Sequence, residues 1–172
     1  YAALPGGERV YLIENRVFED ATAELHNRQI TRFQPDDVTE LAFKSGSTGI
    51  TLRKSGEEWK YVEDTVLPID KQKVTDVLNA LKEIQTHRFV DYAASDMTRY
   101  GLAGDTDQVS VTFKTGGKVE ILLSATGPAN DPDGSRYARL ADGNKVFLLK
   151  KDQATKFQQK IEDFEKKGTS GT

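Results

Sequence analysis

The residues in this chain whose types could do chemistry fall into a few small sets, and most have a simpler reading. His26 and His87 are the only histidines and there is no cysteine. Thiolate metal sites, cysteine nucleophiles and disulfides are thereby excluded. Asn130, Asp131, Asp133 and Gly134 have the composition of a calcium loop. They lack the alternating ligand positions and closing glutamate of an EF-hand, so they read as a turn. Gly46-Ser47-Thr48-Gly49 does not have the Gly-x-Ser-x-Gly spacing of a nucleophile elbow and lies between two strand patterns, where it reads as a hairpin turn. A hydrolytic carboxylate pair is defined by separation in space, so Asp36-Asp37 and Asp105 with Asp107 read as linker and strand-leading polar residues. The most distinctive set is Arg136, Tyr137 and Arg139 beside a breaker-rich loop, with Arg99 and Tyr100 as a second patch. Arginine and tyrosine are the residues on which binding hot spots are built. These five are the candidate binding residues; no catalytic residue, metal ligand or cofactor is expected.

The elements that must position them are organised around residues 67–88. Asp70 reads as an N-cap, Ile69 and Val74 occupy the two positions of a hydrophobic staple, and Val74, Val77, Leu78, Leu81 and Ile84 recur at helical spacing. The pattern predicts an amphipathic helix from Asp70 to Arg88 that lays its stripe on a sheet. Alternation supplies that sheet. Thr39, Leu41 and Phe43, then Ile50 and Leu52, then Trp59 and Tyr61 form a three-stranded meander; Val109, Val111 and Phe113 with Val119, Ile121 and Leu123 form a hairpin. A short helix is expected from a Ser95 cap to a Gly101 C-cap. Residues 126–135 form an exposed, mobile loop, followed by strands over 136–140 and 145–150, the second apolar on both faces. A last helix from near Asp152 presents Ala154, Phe157, Ile161 and Phe164 on one side, with Lys166-Lys167 complementing its C-terminal end. The fold class is α+β: mostly antiparallel sheet, a meander plus a hairpin, with two main amphipathic helices packed on it.

With 172 residues the chain can bury a sizeable core without staples. A net charge of -3 argues against nucleic acid, whose binding demands a basic surface. No apolar run reaches the roughly 18 to 20 residues that span a bilayer, and Tyr1-Ala2-Ala3-Leu4-Pro5 lacks signal-peptide character. The expectation is an excised piece whose anchor lies outside it, ending in a flexible tail over 168–172.

The two ends of the chain share a pattern. Placing Arg9-Val10-Tyr11-Leu12-Ile13 over Lys145-Val146-Phe147-Leu148-Leu149 also places Phe18, Ala21 and Leu25 of an Asn15-capped helix over Ala154, Phe157 and Ile161, without a gap. Matching apolar positions in both elements favour a repeat. Residues 1–34 are then the C-terminal strand and helix of a truncated upstream repeat, 35–167 one complete unit, and Gln34-Pro35-Asp36-Asp37 the linker between them.

The order Asp36-Asp37-Val38, Ile50-Thr51-Leu52, Glu58-Trp59-Lys60, Leu67-Pro68-Ile69-Asp70, Phe89-Val90, Tyr100-Gly101-Leu102, Arg136-Tyr137-Ala138-Arg139 and Val146-Phe147-Leu148 resembles the bacterial family called domain of unknown function 4340. The resemblance implies an extracytoplasmic module, usually behind a membrane anchor, encoded with ABC-type transport systems related to gliding-motility auxiliaries. It carries no catalytic residues over. The expected function is a non-catalytic binding or scaffolding module with a transport or envelope protein as partner, no nucleic acid, and contact with the membrane only through an anchor outside this piece. Two alternatives stand beside it: an envelope-polymer hydrolase using paired carboxylates, and a carrier of a small apolar ligand between helix and sheet.

Overall fold

The computed structural model describes residues 2–3, 10–12, 14, 27–129 and 131–166. β1 (Ala2–Ala3) and β2 (Val10–Tyr11) pair as a short antiparallel ladder. Among the described residues all other strands join one sheet: β3 (Val38–Ser45), β4 (Thr48–Ser55), β5 (Glu58–Tyr61), β6 (Arg88–Asp91), β7 (Asp107–Phe113), β8 (Lys118–Leu123), β9 (Arg136–Leu140) and β10 (Val146–Leu149). Their order is β5-β4-β3-β7-β8-β9-β10-β6, with every neighbouring pair antiparallel. The meander and the hairpin are present at the expected residues. Two-residue turns at Gly46-Ser47 and Gly56-Glu57 close the meander, each with its glycine at positive φ, where a side chain would be strained. The fully buried β10 lies inside the sheet, as its two apolar faces require.

The chain leaves the meander at one edge, β5, and re-enters the sheet at the opposite edge, β6. Between them it must cross the whole width, roughly 34 Å for eight strands. The Lys71–Leu81 helix makes the crossing, with Asp70 as N-cap accepting from the Gln72 N–H at 2.9 Å. Eleven residues of helix cover only about 16 Å, so extended chain must supply the remainder. This is why the helix stops at Leu81 rather than running to Arg88. Residues 82–87 extend toward β6, where Thr86 Oγ1 reaches the Leu148 carbonyl of β10 at 2.7 Å. Ile84 continues the apolar stripe, buried, from outside the helix.

The helix C-terminus is finished by another part of the chain. Thr31, 3 % exposed, donates through Oγ1 to the Leu81 carbonyl at 2.6 Å and accepts from the Ile84 N–H at 2.9 Å. The Ile30 N–H adds a bond to Ile84 O, and the Thr86 N–H one to Arg28 O. Within residues 27–33, Thr31 is therefore buried, and Ile30 and Phe33, partly buried, pack against the main core. The Asn15-capped helix with Phe18, Ala21 and Leu25 lies outside the described residues, as do His26, Asn130 and the tail over 168–172.

The second amphipathic helix does not form as one element. A single turn, Lys151–Ala154, passes into the 3-10 turn Thr155–Phe157; Gln158 (φ -104, ψ 49) breaks the run, and a separate 3-10 turn, Ile161–Asp163, follows. Tertiary bonds explain the interruption. Gln158 Nε2 donates to Asp107, the Asp70 N–H donates to Phe164 O, and the Lys166 N–H donates to Pro68 O, which draws the segment straight alongside the helix start. Ala154, Phe157 and Phe164 are still buried. The Ser95-capped helix is likewise reduced to one 3-10 turn, Thr98–Tyr100, although Gly101 does close it in left-handed geometry.

One sheet face carries the main core. Leu41, Phe43, Leu52, Trp59, Val109, Val111, Leu123 and Phe147 meet Val74, Leu78 and Leu81 of the helix and the C-terminal phenylalanines. The opposite face carries a smaller cluster of Ala94, Tyr100, Leu102, Leu122 and Val146 at the β10 side, while Glu40, Arg53 and Lys60 form a polar row at the β5 side.

Thr31→Val keeps the shape of the side chain and removes both hydrogen bonds, leaving the Leu81 carbonyl and the Ile84 N–H buried without this partner. Urea unfolding is expected to report a loss of about 2–3 kcal/mol, with Thr31→Ser recovering most of it.

Candidate functional site

β9 divides the five arginine and tyrosine candidates between two faces of the sheet. Successive residues of a strand point to opposite sides, so Arg136 shares a face with core residue Ala138, and Tyr137 shares the other with Arg139. The structure joins Tyr137 to Tyr100 and Arg99. The tyrosine rings meet edge-on with centroids 5.3 Å apart, and the Arg99 guanidinium lies 5.0 Å from the Tyr100 ring centroid. The Tyr100 hydroxyl donates to Asp91 at 2.9 Å. Burial, and then this carboxylate, push the Tyr100 phenol above its ordinary range. Asp91 is held below the usual carboxylate range by the Ala93 N–H and then by Tyr100. Arg139 is occupied elsewhere: its Nη1 donates to the carbonyls of Leu140, Ala141 and Gly143 at 2.9 to 3.2 Å and so ties the β9–β10 turn.

Arg136 belongs to a different cluster, on the main-core face. Its Nη2 lies 2.8 Å from Asp107 Oδ2 and its Nε donates to the Ser124 carbonyl at 2.5 Å. Asp107 also accepts from Ser45 Oγ at 2.6 Å and Gln158 Nε2 at 3.2 Å. The cluster thus links β3, β7, β9 and the C-terminal segment. Both charged side chains are largely buried, 16 % and 12 % exposed. Burial alone opposes ionisation of Asp107, but the three donors and the Arg136 charge outweigh it and hold the carboxyl below its ordinary range. Asp107, by its position a strand-leading polar residue, is instead the hub of this buried cluster. Its phase was the available signal: Asp107 is in step with Val109 and Val111, and a carboxylate on an apolar face requires a partner.

Asp131 also turns its hydrogen bonds inward, accepting from the backbone N–H groups of Asp133 and Ser135 within its own loop. Gly127 lets this loop close on β9, since a Cβ there would lie 1.6 Å from the Ser135 carbonyl oxygen. Residues 131–134 are mostly exposed, as expected, but Ser135 is buried. His87 is held toward its neutral form by burial and then by Lys150. Among the described residues no three His, Cys, Asp or Glu side chains are grouped to hold a metal. No described helix is long and apolar enough to cross a membrane.

Three openings bear on the functional readings. The space between Thr31, Leu81 and the sheet is about 10 Å³, room for one water at most. A cleft of about 400 Å³ lies beside the Asp107 cluster, bounded by Phe43, Ser45, Ile50, Phe157 and Gln158. A groove of about 480 Å³ runs between the β5 edge and residues 65–71, with Glu57, Glu58, Trp59, Asp70 and Lys166 in its walls.

Residues 59–169 match the family model described as Domain of unknown function (DUF4340). The match begins inside β5, so β3 and β4, which complete the sheet, precede it. No curated protein and no solved structure matches the chain.

The Asp107 cluster yields a prediction with a definite pH sign. The folded-state pKa of Asp107 lies below its unfolded value, so the stabilisation is complete above the ordinary aspartate range and is lost as pH falls through the folded pKa. Asp107→Asn is expected to cost about 2–4 kcal/mol at pH 7, because it leaves Arg136 without its counter-charge. The deficit should begin to shrink in chemical denaturation below about pH 4, where Asp107 of the unfolded wild-type chain protonates, and continue to shrink until pH falls through the lower folded-state pKa.

Proposed function

The chain belongs to the family of the domain of unknown function 4340, and from that premise we propose that it is a non-catalytic extracytoplasmic binding or scaffolding module, an accessory part of an ABC-type transport assembly. One observation supports the non-catalytic reading above others. The charged groups gathered by the fold spend their hydrogen bonds on their own chain: Asp107 on Ser45, Arg136 and Gln158, Asp131 on its loop, Arg139 on the β9–β10 turn. The carboxylates with displaced pKa values, Asp91, Asp96, Asp107 and Asp131, are all displaced downward. That suits acceptors holding a structure and is opposite to what a general acid requires. The family resemblance supplies the envelope setting and the transport context. Under this reading residues 35–167 are one complete repeat and 1–34 the strand and helix of another, whose last residues dock on the unit that follows.

A second reading, hydrolysis of envelope polymers, draws on the groove beside β5, which Glu57, Glu58 and Asp70 line together with Trp59. Asp70 is already committed to the helix cap and Glu57 lies 3.3 Å from Lys71, which favours the first reading.

Crosslinking of the full-length protein in its native envelope, followed by capture and mass spectrometry, is expected to recover a transport component. Recovery of no envelope or transport protein would count against the proposal. Release of soluble fragments from envelope polymer by the wild type but not by Glu57→Gln/Glu58→Gln would replace it with the hydrolase.

A further inference from the structure

Among the described residues β5 is an edge of the eight-stranded sheet, and its backbone geometry is fixed by its one neighbour there, β4. The Val62 N–H donates to Thr51 O at 3.0 Å, and the register pairs Lys60 with Arg53 and Glu58 with Ser55. Antiparallel strands alternate hydrogen-bonded and non-bonded pairs, so Lys60 and Glu58 bond inward to β4 while the N–H and C=O groups of Trp59 and Tyr61 point out to the open edge. The groove separates this edge from residues 65–71.

The charges across this end of the sheet are incomplete. On the face away from the helix, Glu40 of β3 receives Arg53 of β4 through Nε at 3.0 Å and Nη2 at 2.6 Å. Lys60 comes next in the row, directly opposite Arg53, a like charge. Among the described residues neither Lys60 nor Glu58 has an ion-pair partner. A carboxylate on the far side of Lys60 would complete the row.

We infer that β5 is a self-association edge, pairing antiparallel with β5 of a second copy about a two-fold axis at Trp59. In that register the outward groups of Trp59 meet those of Trp59 of the second copy, and Glu58 stands opposite Lys60 on both sides of the axis. The two neighbouring registers that also match outward with outward groups place Lys60 against Lys60 or Glu58 against Glu58. Charge therefore selects one register of three, and the interface is isologous, as a two-fold dimer requires. A lysine on an edge strand also serves as a guard against pairing, and the experiment separates that role from this one.

Sedimentation velocity on the 172-residue chain should show a concentration-dependent dimer. Lys60→Glu, which sets glutamate against glutamate twice, should weaken it at least about tenfold, and Glu58→Lys with Lys60→Glu in one chain should restore it. Both positions lie on the polar face, and unchanged thermal unfolding monitors the fold. Because the chain has no cysteine, register can be read directly. Glu58→Cys mixed with Lys60→Cys should crosslink under mild oxidation, while neither alone does so. A wild type that stays monomeric, a dimer indifferent to Lys60→Glu, or a crosslink in the Lys60→Cys chain alone would overturn the inference.

Discussion

The constraint on which the rest of the structure depends is the crossing from one sheet edge to the other. β5 and β6 are adjacent in sequence order yet lie at opposite ends of eight strands, so the chain between them must pass over the whole core. An eleven-residue helix has little stability of its own in water. Burying Val74, Leu78 and Leu81 contributes roughly 5–8 kcal/mol, comparable to the whole net stability of an ordinary domain. Both ends of the crossing are held by distant chain. Phe164 O receives the Asp70 N–H at the start, and Thr31 closes the end. The segments before β3 and after β10 are thus tied to one helix, and neither can detach without exposing polar backbone at its ends.

Electrostatics follows the same economy. Asp107 and Arg136 are in phase with apolar neighbours, so each is carried into the core face by its strand. Removing two such charges from water is expensive, and their mutual attraction recovers the cost only when every remaining lone pair is used. Ser45, Gln158 and the Ser124 carbonyl provide those contacts. The cluster joins three strands and the C-terminal segment, a role in specifying where that segment lies.

What the sequence made legible was local. The Asp70 cap, the Gly101 closure and the alternation of β3, β4, β7 and β8 are each decided within a few residues, and each stands where its pattern places it. The helix end and the broken C-terminal helix were not legible, because Thr31 and Asp107, fifty and fifty-one residues away, determine them. A period of two already separates Arg136 from Tyr137, so they could not form one patch. That Tyr100 would meet Tyr137 needed the strand order, which alternation does not contain. Family membership is carried by residues 59–169, yet Trp59 packs against a core that β3 and β4 help to complete.

The order of strands also sets a sequence in time. β3 pairs with β4 through a two-residue turn but with β7 only after some sixty further residues have been made, so the ladder at the middle of the sheet closes late. Of the eight-stranded sheet, β3, β4 and β5 are synthesised first, with Leu41, Phe43, Leu52 and Trp59 directed toward a helix and phenylalanines not yet present. Long-range pairing of this kind is slow, and the waiting meander is the stretch exposed to wrong partners. Assembly is completed from the C-terminal side, when Phe157 and Phe164 arrive to cover what the first strands had left open.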